Sequence, residues 1–97
     1  MRALILSAGV MAWVFSTAAV AIEAAPAGAA SCSGCHAAAA GVASPVPRLV
    51  GQQQAAIVRA MQDFRTGARP ATVMDRIARG FSDGEIQAIA EWYARQR

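Results

Sequence analysis

The chain has no lysine, a single histidine, His36, and only two cysteines, Cys32 and Cys35. Charged residues make up 15% of its 97 residues and the formal net charge is +3, so the basic excess is too small and too scattered to indicate nucleic-acid binding. Neither the alternating pattern of a strand nor an internal repeat is present. These absences leave one small domain built from helices and loops.

The N-terminal segment is the one long apolar run of the chain. It begins after Arg2, extends to Ile22 and ends in small residues. A short basic start, an apolar stretch and small residues before a cleavage point are typical of a secretory signal. A membrane anchor is the alternative, but the run is rich in alanine and no basic segment follows it. We expect residues 1–21 to be a signal peptide and residues 22–97 to be the mature domain, exported to the periplasm.

The first half of that domain is predicted to be mostly irregular. Residues 22–31 contain proline and glycine, so a helix is expected only close to Cys32. The four alanines at 37–40 favour continuing this helix as far as Gly41. The two prolines within residues 41–51 then favour an extended loop.

The second half is predicted to be helical. Residues 54–66 carry an apolar stripe, and Gly67 fits the end of that helix. A short helical segment at 73–78 is followed by Gly80. The stripe of the longer helix consists of Ile57, Val58, Met61 and Phe64.

A capping box marks the start of the last helix. Ser82 can cap the helix while Glu85 reaches back, and Phe81 and Ile86 stand where a hydrophobic staple would place them. Apolar residues then recur at helical spacing, so this helix has one apolar face. The face consists of Ile86, Ile89, Ala90 and Tyr93.

The segment Cys32-Ser33-Gly34-Cys35-His36 has the attachment pattern of a covalent c-type haem. Two thiols one turn apart can each bond a vinyl group of one porphyrin, and the next residue brings an imidazole to the iron. A dithiol oxidoreductase would need a larger βαβ scaffold, and a zinc site would need a fourth ligand that the chain lacks. A disulfide across so short a loop would stabilise little. We therefore predict one covalently attached haem c, which also stabilises a domain too small to rely on its apolar core.

The second axial ligand of the iron is predicted from the candidate ligand residues that remain once His36 is assigned. His36 is the only histidine, and the signal segment accounts for two of the four methionines, so the choice is Met61, Met74 or an open site. Met61 lies on an apolar stripe, where methionine is more often core. Met74 follows a loop and can cross the far face of a flat cofactor. We predict His36 and Met74 as iron ligands, which favours electron transfer over ligand sensing by a five-coordinate haem.

A resemblance to a known family is carried by residues 32–36, 47–52, 61–69 and 72–86. Over these segments the chain resembles the small class I cytochromes c, and within them the haem subunit of flavocytochrome c sulfide dehydrogenase. The resemblance implies that residues 22–97 are a cytochrome c domain with an all-α fold wrapped around one haem, in which Cys32 and Cys35 are bonded to the vinyl groups and His36 and Met74 are on the iron. It also implies that the carbonyl of Pro47 accepts a hydrogen bond from the imidazole.

The chain departs from this family in its first helix. Ala37 stands where glycine is usual, and the residues before Cys32 include few bulky apolar side chains. A short first helix would leave part of the apolar face of the last helix uncovered, and this surface could then dock on a partner subunit. Trp92 and Tyr93 match the aromatic pair of the closing helix, where packing against the first helix is their expected role.

The resemblance implies an electron-transfer subunit that accepts electrons from an FAD-containing sulfide dehydrogenase subunit and passes them to another redox protein. Such a chain breaks no substrate bonds by itself. The alternative is a free-standing periplasmic cytochrome c that carries electrons between complexes. Arg48 and Arg69 are the candidate partners of the haem propionates.

Overall fold

The computed structural model describes residues 12–16 and 23–97. Its helices are α1 (Ala29–Cys32), α2 (Gln54–Thr66), α3 (Met74–Arg79) and α4 (Asp83–Arg95). The described ranges contain no strand, and none of their helices has the length and apolar character needed to cross a membrane. The all-helical fold predicted from the sequence is confirmed. The signal peptide predicted at 1–21 lies outside the described residues, except for the exposed, irregular stretch 12–16.

Helix α2 forms where the apolar stripe predicts it. Ile57 and Val58 are buried, while Met61 and Phe64 on the same stripe are half-buried. The helix ends at Gly67, whose φ of 82° lies in the left-handed region that glycine adopts without steric cost. Helix α2 packs against both α3 and α4, so it forms the centre of the fold.

The predicted capping box is present at the start of α4. The backbone N–H of Glu85 donates to Ser82 Oγ at 3.2 Å, and the backbone N–H of Ser82 donates to Glu85 Oε1 at 2.9 Å. The bond from the Ser82 backbone lowers the pKa of the Glu85 carboxyl, because it favours the charged form. This contribution to stability is present above the ordinary pKa of a glutamate and is lost as the pH falls below it.

Ser82→Ala should lower the free energy of unfolding by about 1 kcal/mol, because the N–H of Glu85 loses its acceptor. The loss is measured by denaturant unfolding at neutral pH. Ser33→Ala is the matched control, since the Ser33 hydroxyl donates to the carbonyl of Ala30 on an exposed turn and caps no helix N-terminus. Equal stability losses in the two variants would contradict the capping role.

The alanines at 37–40 do not extend α1, so this part of the sequence prediction is wrong. The helix ends at Cys32, whose carbonyl accepts from the backbone N–H groups of both Cys35 and His36, at 3.2 and 2.9 Å. Arg48 Nε donates to the carbonyl of Ala38 at 2.7 Å, which removes this acceptor from any helical ladder. Contacts with the following loop thus override the helix propensity of alanine.

The apolar face of α4 is covered, so the expected docking surface on this face is also wrong. Ile86, Ile89 and Tyr93 are only 2%, 6% and 3% exposed. The chain passes close to α4 at Gly28, where an added Cβ would lie 3.4 Å from Ile89 Cδ1 of α4 and 2.5 Å from Cε1 of Phe81, which precedes the helix. Bulky residues in the first helix are unnecessary because backbone, rather than side chain, provides part of the cover.

Candidate cofactor site

A single cavity of about 540 Å³ lies where the predicted site residues meet, and its volume is in the range of cofactor sites. The residues after α1 and the loop at 45–52 form one side of it, and the segment at 69–74 forms another. Apolar side chains from α2 and α4 line the remainder. Besides Met61 and Met74, the larger apolar lining residues are Leu49, Ile57, Phe64, Ile77, Phe81, Ile86 and Ile89.

The structure brings all five predicted site residues to this cavity. Cys32, Cys35, His36, Pro47 and Met74 all line it, although 42 positions separate the first from the last. Cys32 is half-buried and Cys35 is exposed. Burial raises the pKa of the Cys32 thiol. Their roles toward a cofactor remain predictions that the arrangement allows.

His36 is oriented by the loop that follows it. Its Nδ1 lies 2.5 Å from the carbonyl oxygen of Pro47. A carbonyl can only accept a hydrogen bond, so Nδ1 carries the proton and donates. The lone pair of the neutral imidazole is then on Nε2, which is the nitrogen left for a metal. One hydrogen bond therefore sets both the tautomer and the direction of the ring.

Two methionines, Met61 and Met74, line the cavity. Met61 also packs against the buried core formed by α2 and α4. Met74 begins α3 and lies outside that core cluster. The predicted core role of Met61 and the predicted ligand role of Met74 are both compatible with these positions.

The two candidate propionate partners lie in different places. Arg69 lines the cavity, and its guanidinium carbon is 5.0 Å from the centroid of the Phe64 ring. Arg48 is absent from the cavity lining, and its Nε donates to the carbonyl of Ala38. Only Arg69 therefore keeps a guanidinium beside the cavity.

Trp92 and Tyr93 pack edge to face at the end of α4, with ring centroids 4.9 Å apart. The Tyr93 hydroxyl donates to the carbonyl of Ala29 in α1 at 2.6 Å. Burial, and secondly the charge of the nearby Cys32, raises the pKa of Tyr93. For Tyr93, the packing against the first helix expected from the sequence is confirmed.

Several lining residues were missed from the sequence, because they lie on loops without a periodic pattern. Val46 and Thr72 are of this kind. Phe81 was assigned only to the staple of α4, yet it also lines the cavity. Its position directly before the cap is the one signal that placed it near the core.

The residues present fit a c-type haem. Two thiols, an imidazole with Nε2 available and a thioether face one largely apolar cavity. Thiols can bond vinyl groups, while imidazole and thioether are the axial ligands of electron-transferring haem proteins. A covered apolar wall is also what a flat, mostly apolar ring requires.

Several known proteins are similar to this chain. The chain is 40% identical over 63 residues to the cytochrome subunit of sulfide dehydrogenase from Chlorobaculum tepidum, covering 65% of this chain and 57% of that protein. It is 39% identical over 67 residues to a thiosulfate dehydrogenase electron acceptor from Stutzerimonas stutzeri, covering 65% of this chain and 31% of that protein. A protein of the same name from Thiomonas intermedia is 32% identical over 94 residues, covering 94% of this chain and 43% of that protein. No family model matches the chain.

The helical fold and these relatives support a cytochrome c of this type, as the sequence resemblance indicates. The particular proteins to which the chain is similar are a sulfide dehydrogenase cytochrome subunit and two thiosulfate dehydrogenase electron acceptors. The chain spans between about a third and three fifths of their lengths.

Proposed function

We propose that this protein transfers one electron at a time through a single covalently bound haem c with histidine and methionine ligands. It acts in the periplasm as the haem subunit that accepts electrons from an FAD-containing sulfide dehydrogenase subunit. The observation that carries the proposal is the hydrogen bond from His36 to Pro47 beside the two thiols, because it presents Nε2 to the cavity that they line.

Each proposed role is one that the residue can perform from its position. Cys32 and Cys35 would attach the cofactor covalently, and His36 and Met74 would bind its iron, since all four residues line the same cavity. A bound haem supplies a reversible one-electron change at iron, and the protein holds both ligands in place so that little reorganisation accompanies it.

The walls of the cavity support this role in two ways. Water is excluded from one wall by Ile57, Ile86 and Ile89. The solvation of a ring bound there would therefore change little when the charge on its iron changes. Arg69 is the guanidinium at the cavity and forms no ion pair among residues 12–16 and 23–97, so it is the proposed partner of a propionate.

A second candidate is a separate carrier that accepts electrons from a thiosulfate dehydrogenase. Two relatives carry the name of such an acceptor. The buried face of α4 favours this candidate as well, because it removes the surface on which we expected a permanent subunit to dock.

The test is export of the full chain in a host that attaches haem c. Mass spectrometry of the mature protein should show one added haem and removal of about the first 21 residues. The Cys32→Ala, Cys35→Ala double variant is the control and should carry none. An exported wild-type chain without added mass would contradict the proposal.

Co-purification and reduction assays distinguish the two candidates. A flavoprotein retained through purification, with haem reduction on addition of sulfide, supports the subunit. A lone haem protein reduced by thiosulfate only in the presence of a thiosulfate dehydrogenase supports the carrier. Rapid carbon monoxide binding by the untreated ferrous protein would instead indicate an open iron site.

A further inference from the structure

Arg65 joins two points at the start of α4. It lies in the last turn of α2, and its Nη1 donates to Asp83 Oδ1 at 2.6 Å. Its Nη2 donates to the backbone carbonyl of Phe81, also at 2.6 Å. One planar guanidinium thus bonds a carboxylate and a carbonyl that are two residues apart.

Met74 lies in the chain segment between Arg65 and the two residues that Arg65 bonds, Phe81 and Asp83. The chain leaves α2 at Gly67, forms α3 and returns at Phe81. The start of this segment is held to α2 as well, because the backbone N–H of Arg69 donates to the carbonyl of Asp63 at 3.1 Å. The Met74 segment, residues 67–81, is therefore a closed loop, and Arg65 holds its end to its beginning.

The hydrogen bond from Arg65 to the backbone of Phe81 matters more than the ion pair between Arg65 and Asp83. The side chain of Asp83 is 80% exposed, and an ion pair so open to water contributes little by itself. The side chain of Arg65 is 30% exposed, and its bond to Phe81 is partly buried and charge-assisted. Phe81 also lines the cavity, so this bond connects Arg65 to the wall of the cavity.

We propose that Arg65 is a positioning residue, which keeps the Met74 segment closed so that the thioether remains on the iron. This inference rests on the proposed function, since it assigns Arg65 a role toward the methionine ligand. Arg65 touches neither the thioether nor the cavity, and it acts through the carbonyl of Phe81.

The test uses the exported haem protein and imidazole as an external ligand. Imidazole can bind ferric iron only after the thioether leaves, so its binding rate reports opening of the segment. Arg65→Gln should bind imidazole about tenfold faster than the wild type, because a charge-assisted bond is lost. It should also weaken the far-red ferric absorption band that accompanies sulfur ligation. Arg65→Lys keeps the charge and one bond, and should give a smaller increase.

Two control variants separate positioning from general destabilisation. Ser82→Ala weakens the same end of α4 without altering the atoms that Arg65 bonds. Arg95→Gln removes a similar side chain that donates to Glu91 and Glu23 at 2.7 and 2.5 Å, away from the Met74 segment. Both should bind imidazole at the wild-type rate.

Equal imidazole rates for Arg65→Gln and the wild type would overturn the inference, as would an equal acceleration by Ser82→Ala. If Arg65→Gln incorporates no haem, Arg65→Lys decides the question by the same measurement. Failure of the proposed function has a different signature, because the wild type itself would then lack haem or the far-red band.

Discussion

Met74→Ala should abolish the far-red ferric band and leave an iron site that binds external ligands readily. Loss of a thioether ligand should also lower the reduction potential by roughly 0.1 V or more, within the approximately 0.8 V range that axial ligands span. The band is followed by absorption spectroscopy and the potential by redox titration. The proposed covalent attachment of the haem should remain, since the two thiols and His36 are unchanged.

Met61→Ala is the matched control, because the same side chain is removed from the same cavity. Met61 packs against the core, so the variant should lose about 2 kcal/mol of stability, the lower end for methionine truncation, since the residue is only half-buried. The far-red band should persist. A band that survives in Met74→Ala and disappears in Met61→Ala would reverse the ligand assignment.

Gly28→Ala should destabilise the protein by about 2–4 kcal/mol through two separate effects. The φ of Gly28 is 88°, which an L side chain adopts only at a cost. The added Cβ would also lie 2.5 Å from Phe81 Cε1 and 3.4 Å from Ile89 Cδ1, so the ring or the backbone must move. Denaturant unfolding of the haem protein measures the loss.

Gly41→Ala separates the two effects. Gly41 has nearly the same φ, 81°, but an added Cβ would meet nothing within 4 Å. This variant should incur only the conformational cost, about 1 kcal/mol. If both alanine variants lost equal stability, the steric contact between position 28 and Phe81 would contribute nothing to the free energy of unfolding.

Local patterns predicted the second half of the fold well. Helix α2 and the start of α4 follow from helical spacing, a left-handed glycine and the Ser82 capping box, all of which act within a few residues. The cavity residues Cys32, Cys35 and His36 follow from one contiguous motif. Such features need no knowledge of which distant segments meet.

The errors arise where contacts between distant residues decide the outcome. The carbonyl of Ala38 accepts from the side chain of Arg48, ten residues later, rather than from a helical N–H. Part of the cover over α4 comes from Gly28 and Ala29, which carry little side chain of their own. The link from Arg65 to Phe81 and Asp83 is also a contact across 16 to 18 residues, which no spacing rule indicates.

The contact between Arg95 and Glu23 has a consequence for how this fold can be joined to others. It brings the first described residues of the domain beside the end of α4, and Ala25 and Arg97 line one shallow hollow together. That hollow shares no lining residue with the cofactor cavity. A module fused at residue 23 or at residue 97 would therefore leave from the same region of the surface, and copies of residues 23–97 could be linked by short connectors without covering the cavity.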